Sequence, residues 1–242
     1  MTTLFISDLH LDPSRPAVIQ AFLTFIENQA SKADALYILG DFFEAWIGDD
    51  DVNELNTTVI SHLRQLTSAG TPVYLMHGNR DFLIGERFAE QSGCQLICDP
   101  TLIDLYGQKV LLMHGDSLCI DDIDYMAFRQ QCRSPQWQAG MLAYSLEQRR
   151  ALATQLREQS HQANSNKADD IMDVNQDEVI RVLQQHDTQI LIHGHTHRPK
   201  IHDLMANKLP AKRIVLGDWD QYGWSLSFNA EGAYELKQFA IE

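Results

Sequence analysis

Six short apolar runs in this chain end in the same way, and that recurrence limits the folds open to it. "TLFI" leads into Ser7-Asp8-Leu9-His10, "ALYIL" into Gly40-Asp41, and "VYLM" into His77-Gly78-Asn79-Arg80-Asp81. "KVLLM" leads into His114-Gly115-Asp116, "QILI" into His193-Gly194-His195-Thr196-His197, and "RIVL" into Gly217-Asp218. Runs of four or five residues rich in Val, Ile and Leu are the mark of strands buried on both faces. Helix-length segments at 16–32, 52–69 and 81–92 separate the early runs, and strand–helix–strand order predicts an α/β domain on a central sheet. The tail reads as two more strands, "WSLSFNA" and "AYELKQFA", around Asn229 and Gly232.

Residues 119–187 break the rhythm: strand-like runs stop and helical spacing takes over. Between 129 and 168 six basic residues stand against two acidic ones, Glu147 and Glu158, in a chain whose net charge is −14. Trp137, Met141, Leu142 and Tyr144 lie in the same stretch. A semi-apolar, locally basic segment of this kind predicts a helical cap over the sheet edge, inserted in one domain spanning 1–242. The overall acidity argues against nucleic acid as a partner, because phosphate backbones require clustered Lys and Arg. Four scattered cysteines without a CxxC pair predict free thiols, with Cys94 and Cys98 on one face of the strand "CQLIC". "MTTLFISDLH" has no basic n-region and too short an apolar run for a signal peptide, so a cytoplasmic location is expected. A monomer is the expected oligomeric state.

In open α/β sheets, ligands bind beyond the carboxyl ends of the strands. Those ends carry Asp8, His10, Asp41, Asn79, His114, His195 and His197. Singly, each has a dull reading: a helix N-cap, or a satisfied polar side chain. Together, five strand ends each offering Asp, Asn or His point to a metal centre. The mixture of carboxylate, amide and imidazole suits Mn²⁺, Fe²⁺ or catalytic Zn²⁺. Seven ligands exceed one ion's needs and fit two ions if Asp41 bridges them, an arrangement suited to phosphoryl chemistry. Alternation puts His193, His195 and His197 on one face. His193, nearest the strand, is expected in the core or behind the ligands.

The ordered motifs "DLH", "GDFFE", "GNRD", "HGD" and "HGHTH" resemble the calcineurin-like metallophosphoesterase superfamily. That resemblance implies a four-layer αββα sandwich around a dinuclear metal site. Glu44 and Arg80 depart from the superfamily's usual Asp and His. Together with "EAWIGDDD", "NSNKADDIMDVN" and "LIHGHTHRP", they resemble the branch that hydrolyses UDP-2,3-diacylglucosamine in lipid A biosynthesis. By position, the resemblance puts Asp8, His10, Asp41 and His197 on a first Mn²⁺, and Asp41, Asn79, His114 and His195 on a second. It puts substrate contacts on Asn79, Arg80, Asp122, Ser160, Asn164, Lys167 and His195. The implied reaction is attack of metal-activated water on a pyrophosphate phosphorus, releasing UMP and lipid X at the cytoplasmic face of the inner membrane. No role follows for Glu44.

Arg80 fits that reaction. Guanidinium stays protonated and cannot act as a general acid, yet it holds phosphate oxygens bidentately and stabilises charge in the transition state. A phosphate leaving group is stable as an anion and has little need of a proton. With Arg80, the catalytic candidates are Asp41, Asn79 and His114. A broad nuclease is disfavoured by Arg80 and by the acidic surface.

Overall fold

The computed structural model describes residues 1–165 and 173–241, with the side chains of 159–165 excepted. The elements in chain order are β1 (Thr2–Ile6), α1 (Pro16–Asn28), β2 (Ala35–Leu39), α2 (Glu54–Ser68), β3 (Val73–Met76), α3 (Glu86–Ser92) and β4 (Gln95–Ile97). Then come β5 (Thr101–Leu105), β6 (Gln108–Leu112), α4 (Ile123–Cys132), α5 (Pro135–Leu142), α6 (Leu146–Ser165) and α7 (Gln176–Gln185). The chain ends with β7 (Ile190–His193), β8 (Lys200–Ala206), β9 (Leu209–Val215), β10 (Tyr222–Asn229) and β11 (Tyr234–Ala240).

Two sheets form, ordered β11-β10-β1-β2-β3-β4 and β5-β6-β7-β9-β8. Strands β1 to β4 run parallel, as do β6, β7 and β9, while the remaining pairings are antiparallel. Alternation along a strand divides one apolar run between two cores. On β1, Leu4 and Ile6 face the helices α1 and α2, while Phe5 joins Leu39, Met76, Leu112, Ile192 and Ile214 between the sheets. On β6, Val110 and Leu112 face that middle layer, and Leu111 packs with Val179, Val182 and Leu183 of α7. Helix, sheet, sheet, helix is the expected four-layer order.

The outer helices owe their positions to apolar stripes and caps. Pro16 opens α1, whose buried stripe is Val18, Phe22, Phe25 and Ile26. Asn53 caps α2 by accepting from the Asn56 amide, and Leu55, Val59, Leu63 and Leu66 turn inward. Each such side chain contributes about 1.5–3 kcal/mol by leaving water.

Several boundaries differ from expectation for identifiable reasons. Helix α3 starts at Glu86 rather than near 81, because the Asp81 carboxylate accepts from the amides of Phe42, Phe43 and Gly78 and holds its segment as a turn. Strands β5 and β8 add antiparallel edges that carried no strong pattern. All four cysteines are free, but Cys94 is buried and Cys98 exposed, since β4 spans only the three residues between them. Within 119–187, α7 packs on the second sheet as a core layer, so the cap-like part is α4 to α6. Among the described residues, no helix is long and apolar enough to cross a membrane.

Candidate dinuclear metal and substrate site

The strand-end residues converge where the two sheets meet. Oxygen or nitrogen atoms of Asp8, His10 and His197 lie within 4.8 Å of one another, and so do those of Asp41, His114 and His195. Asp41 stands between the groups: Oδ2 is 3.8 Å from His10 Nε2, and Oδ1 is 3.7 Å from His114 Nε2. Asn79 joins the second group, its Oδ1 3.0 Å from His114 Nε2. The sites are thus assembled from β1, β2, β3, β6 and β7.

Local backbone geometry is unusual here. Asp8, His10, Asp41, His195 and His197 have φ between 48° and 69°. Left-handed backbone at a non-glycine residue costs on the order of 1–3 kcal/mol and persists where surrounding structure enforces it. The enforcement is visible. His195 donates its amide to Asp8 Oδ2 at 2.9 Å, Arg80 donates its amide to Asp41 Oδ1 at 2.8 Å, and Trp219 donates its amide to the Asp8 carbonyl at 3.0 Å. The glycines of the motifs permit close approach. A Cβ on Gly78 would meet the Asp41 backbone nitrogen at 2.0 Å, and one on Gly194 would meet Asp8 Oδ2 at 2.2 Å.

His114 is oriented from behind by a hydrogen bond, and His10 and His197 each have a carboxylate behind them. His114 Nδ1 donates to the Leu39 carbonyl at 2.9 Å, leaving Nε2 to face Asn79 Oδ1. His10 Nδ1 lies 3.0 Å from Glu44 Oε2, and His197 Nδ1 lies 3.6 Å from Asp218 Oδ2. Their Nε2 atoms then face each other at 3.3 Å. Lone pairs opposed at such distances repel unless a proton or a cation lies between them, so this donor set fits two divalent cations. A carboxylate behind a ligating imidazole is the usual way to fix its tautomer.

Electrostatics agree with a cation-seeking pocket. Burial alone would lower His114, but Asp41, Asp116 and Asp8 together hold it up at about 9. His197, likewise opposed by burial, is raised to about 8 by Asp8 and Asp218. Burial and the charge of His114 keep His195 near 4. Burial opposes ionisation of Glu44, yet His10, Arg80 and Arg157 pull it down to about 2. His193 is fully buried, donates to the Gly194 carbonyl at 2.8 Å, and is held near 3 by burial and Arg213.

A cavity of about 360 Å³ opens beside the clusters. Glu44, Asn79, Arg80 and Tyr125 line its polar end, while Ile47, Phe82, Phe128, Trp137, Met141 and Leu156 line the rest. Arg80 Nε is buried and has no hydrogen-bond partner among the described residues. Its neighbour Asp81 is saturated by backbone amides, so Arg80 is not tied up by pairing with it. Asp122 caps α4 by accepting from the Tyr125 amide. The side chains of Ser160 and Asn164, and the whole of Lys167, lie outside the described residues. The cap's basic character is largely consumed internally: Arg129 pairs with Asp116 and Asp99, Arg149 with Asp50, and Arg150 with Asp51. Four residues near the site were given no role by the sequence: Glu44, Asp218, Tyr125 and Arg157. A strand-end position could have flagged Asp218 and the "GDFFE" motif Glu44. Tyr125 and Arg157 carry no signal of their own.

Comparison with known proteins agrees with this geometry. Residues 1–199 match the model of the calcineurin-like phosphoesterases. A Cellvibrio japonicus protein named UDP-2,3-diacylglucosamine hydrolase is 56% identical over 96% of this chain and 97% of its own length. Proteins of the same name from Pseudomonas aeruginosa and Escherichia coli are 52% and 50% identical, the first covering 96% of this chain and 97% of its own, the second 96% of each. An archaeal phosphodiesterase structure superimposes over 99% of this chain and all of its own with a TM-score of 0.52 at 11% identity, a likeness of fold. Half the sequence shared over nearly the full length of several relatives leaves one conclusion: the chain belongs to the calcineurin-like phosphoesterases, and among them to the UDP-2,3-diacylglucosamine hydrolase family.

Proposed function

We propose that this protein hydrolyses the pyrophosphate of UDP-2,3-diacylglucosamine to UMP and 2,3-diacylglucosamine 1-phosphate, lipid X, in lipid A synthesis. The observation that carries the reading is one cavity with two characters: Arg80 and Asn79 at the metal clusters, then an apolar tunnel under the cap. A diphosphate flanked by a diacylated sugar has the same order of chemistry.

Asp8, His10, Asp41 and His197 would hold one cation, and Asp41, Asn79, His114 and His195 the other; mixed oxygen and nitrogen donors suit two Mn²⁺. When bound, such a pair lowers the pKa of water and neutralises charge on the attacked phosphoryl group. Glu44 and Asp218 keep the two facing imidazoles turned inward. Arg80 grips the phosphate oxygens and stabilises the charge that grows on them, with the uridine-side phosphorus attacked and the lipid 1-phosphate leaving as an anion. Asn79 and His195 contact the diphosphate, and Asp122, Ser160, Asn164 and Lys167 the rest of the head group. The cap's apolar wall covers the acyl chains. Because Arg129, Arg133, Arg149, Arg150 and Arg157 are all paired within the molecule, contact with the inner membrane's cytoplasmic face follows from the lipid substrate rather than from a free basic patch.

Incubation with Mn²⁺ and either UDP-2,3-diacylglucosamine or UDP-N-acetylglucosamine tests the reading. UMP and lipid X from the first, with little product from the second, is the expected result. Equal cleavage of both would cancel the role given to the acyl chains, and cleavage of neither would overturn the assignment.

A further inference from the structure

The acidic run Asp49-Asp50-Asp51 is not explained by the chemistry above, and its three carboxylates point to three different partners. Asp49 faces the body: it accepts from Trp46 Nε1 at 3.0 Å and from the amides of Gly85 and Phe88 at 2.9 and 3.0 Å. Asp50 faces the cap and takes both ends of the Arg149 guanidinium, at 2.6 and 2.5 Å. Asp51 takes Arg150. Arg149 is only 4% exposed, and it also donates to the carbonyls of Ile47 and Tyr144 at 2.8 and 3.0 Å. Gly48, at φ +131°, makes room for it, since a Cβ there would lie 2.4 Å from Arg149 Nη1.

This junction matters because the cap buries few side chains and depends on such polar contacts for its register. Among the described residues, α4 buries only Cys132 and α5 only Met141, which reaches the main core with partly buried Trp137 and Leu152 beside it, and a cavity occupies much of the space beneath. At the other side of the cavity Arg129 binds Asp116 and Asp99, and Arg133 donates to the Gly78 carbonyl at 2.9 Å. The cap therefore spans the cavity between two sets of arginine contacts. The Arg149–Asp50 and Arg150–Asp51 set joins α6, which carries the wall residues Ala153 and Leu156, to the loop carrying the wall residues Trp46 and Ile47.

We propose that Arg149 and Asp50 form a latch that sets the width of the apolar tunnel, making them positioning residues for recognition of the lipid part of the substrate. They belong neither to the cavity lining nor to the metal clusters and act through Trp46, Ile47 and Leu156. The inference rests on the acyl chains occupying that tunnel. A bidentate guanidinium–carboxylate pair fixes both distance and orientation, which a single contact does not.

The test uses Asp50→Ala, with Asp50→Asn as a variant of unchanged shape and Asp50→Glu as the conservative rescue. Asp50 is half exposed, at 51%, so its loss does not leave a large void. The expected result is a KM for UDP-2,3-diacylglucosamine raised about tenfold or more, with kcat on bis(4-nitrophenyl) phosphate and Mn²⁺ stoichiometry unchanged, and partial recovery in Asp50→Glu. An unchanged KM overturns the latch, and so does an equal loss on both substrates, which would mark the pair as merely structural. If the wild-type protein does not cleave the lipid nucleotide, the proposed function fails independently. The latch is then judged by binding of a fluorescent fatty-acid probe: weaker binding in Asp50→Ala supports it, and equal binding overturns it.

Discussion

The cavity has a floor and a roof, and they are held by different forces. On the floor, Asp8, Asp41 and His114 are buried, each is gripped by backbone groups, and five of the seven candidate ligands sit in left-handed backbone. The roof buries few side chains and stands on arginine pairs. Two cations and a phosphoryl group need donors at fixed distances, and rigid, strained backbone supplies them. Acyl chains need only apolar area, which is non-directional, so a wall held at one height by a few ion pairs is sufficient. On the proposed reading, one molecule thus puts atom-by-atom accuracy where bonds change and a wall of set width where chains are covered.

The largest break in that comparison should come from Arg80→Ala. Loss of a single preorganised donor to transition-state charge typically costs about 10²–10³ in kcat, and a fall of that size is expected with both cations still bound. Turnover measured beside metal stoichiometry checks it. A loss that follows metal occupancy instead would make Arg80 part of the metal floor rather than of substrate recognition.

Next in size is Glu44→Gln. Glu44 touches no candidate cation position directly, but it lies against His10 Nδ1 and near Arg157 Nη1, 3.5 Å away. Outer groups that orient ligating histidines are worth about 10–100-fold in metal affinity, and a weakening of that order is expected at the site of Asp8, His10 and His197, read by titration of Mn²⁺. Equal weakening at both sites would show the floor to be one cooperative unit.

The floor was also far more legible in the sequence than the roof, for a physical reason. Metal ligation needs particular residue types at strand ends, so Asp8, His10, Asp41, Asn79, His114, His195 and His197 could be picked out, and the structure gathers them at one place. The strands announced themselves as apolar runs, although the weak edges β5 and β8 did not. The roof depends on long-range pairing. Nothing local connects Asp50 with Arg149, 99 residues away, or tells that the cap's arginines face inward. Helix α7 was grouped with the cap because helical periodicity alone does not say which layer a helix covers.

The roof itself should respond more mildly. Trp137 on α5 packs against Phe82, ring centroids 5.8 Å apart, as part of the tunnel wall. Trp137→Ala is expected to raise KM for the diacylated substrate about tenfold, equivalent to about 1.4 kcal/mol, with kcat on a small phosphodiester unchanged. Parallel kinetics on the two substrates check it, and a matching fall in kcat on both would mean that floor and roof are not independent.

The smallest effect, and the finest test of the contrast, is the pH dependence of the cation-free protein. His114 and His197 are raised to about 9 and about 8 from 6.5, so their protonation stabilises the fold. That contribution is complete below pH 6.5 and is lost as pH rises through 8 and then 9, because the folded state then gives up protons that the unfolded state has already released. His195, held near 4, is neutral in both states above pH 7 and drops out of the balance. The roof's arginines keep their charge throughout, since Arg129 is pushed further up by Asp116 against the opposing effect of burial, and Arg149 by its hydrogen bond to Asp50. Between pH 7 and 9.5, chelator-treated protein should lose a few degrees of Tm. Amide exchange, corrected for its intrinsic pH dependence, should quicken at the strand ends around residues 8, 41, 114 and 195, while the junction at 47–51 and 149–150 keeps its protection. Saturating Mn²⁺ should reverse the trend, because deprotonated imidazoles bind metal better as pH rises. Loss of protection at both places together would show that the floor's charges also hold the roof, and the two halves of the cavity would then have to be treated as one.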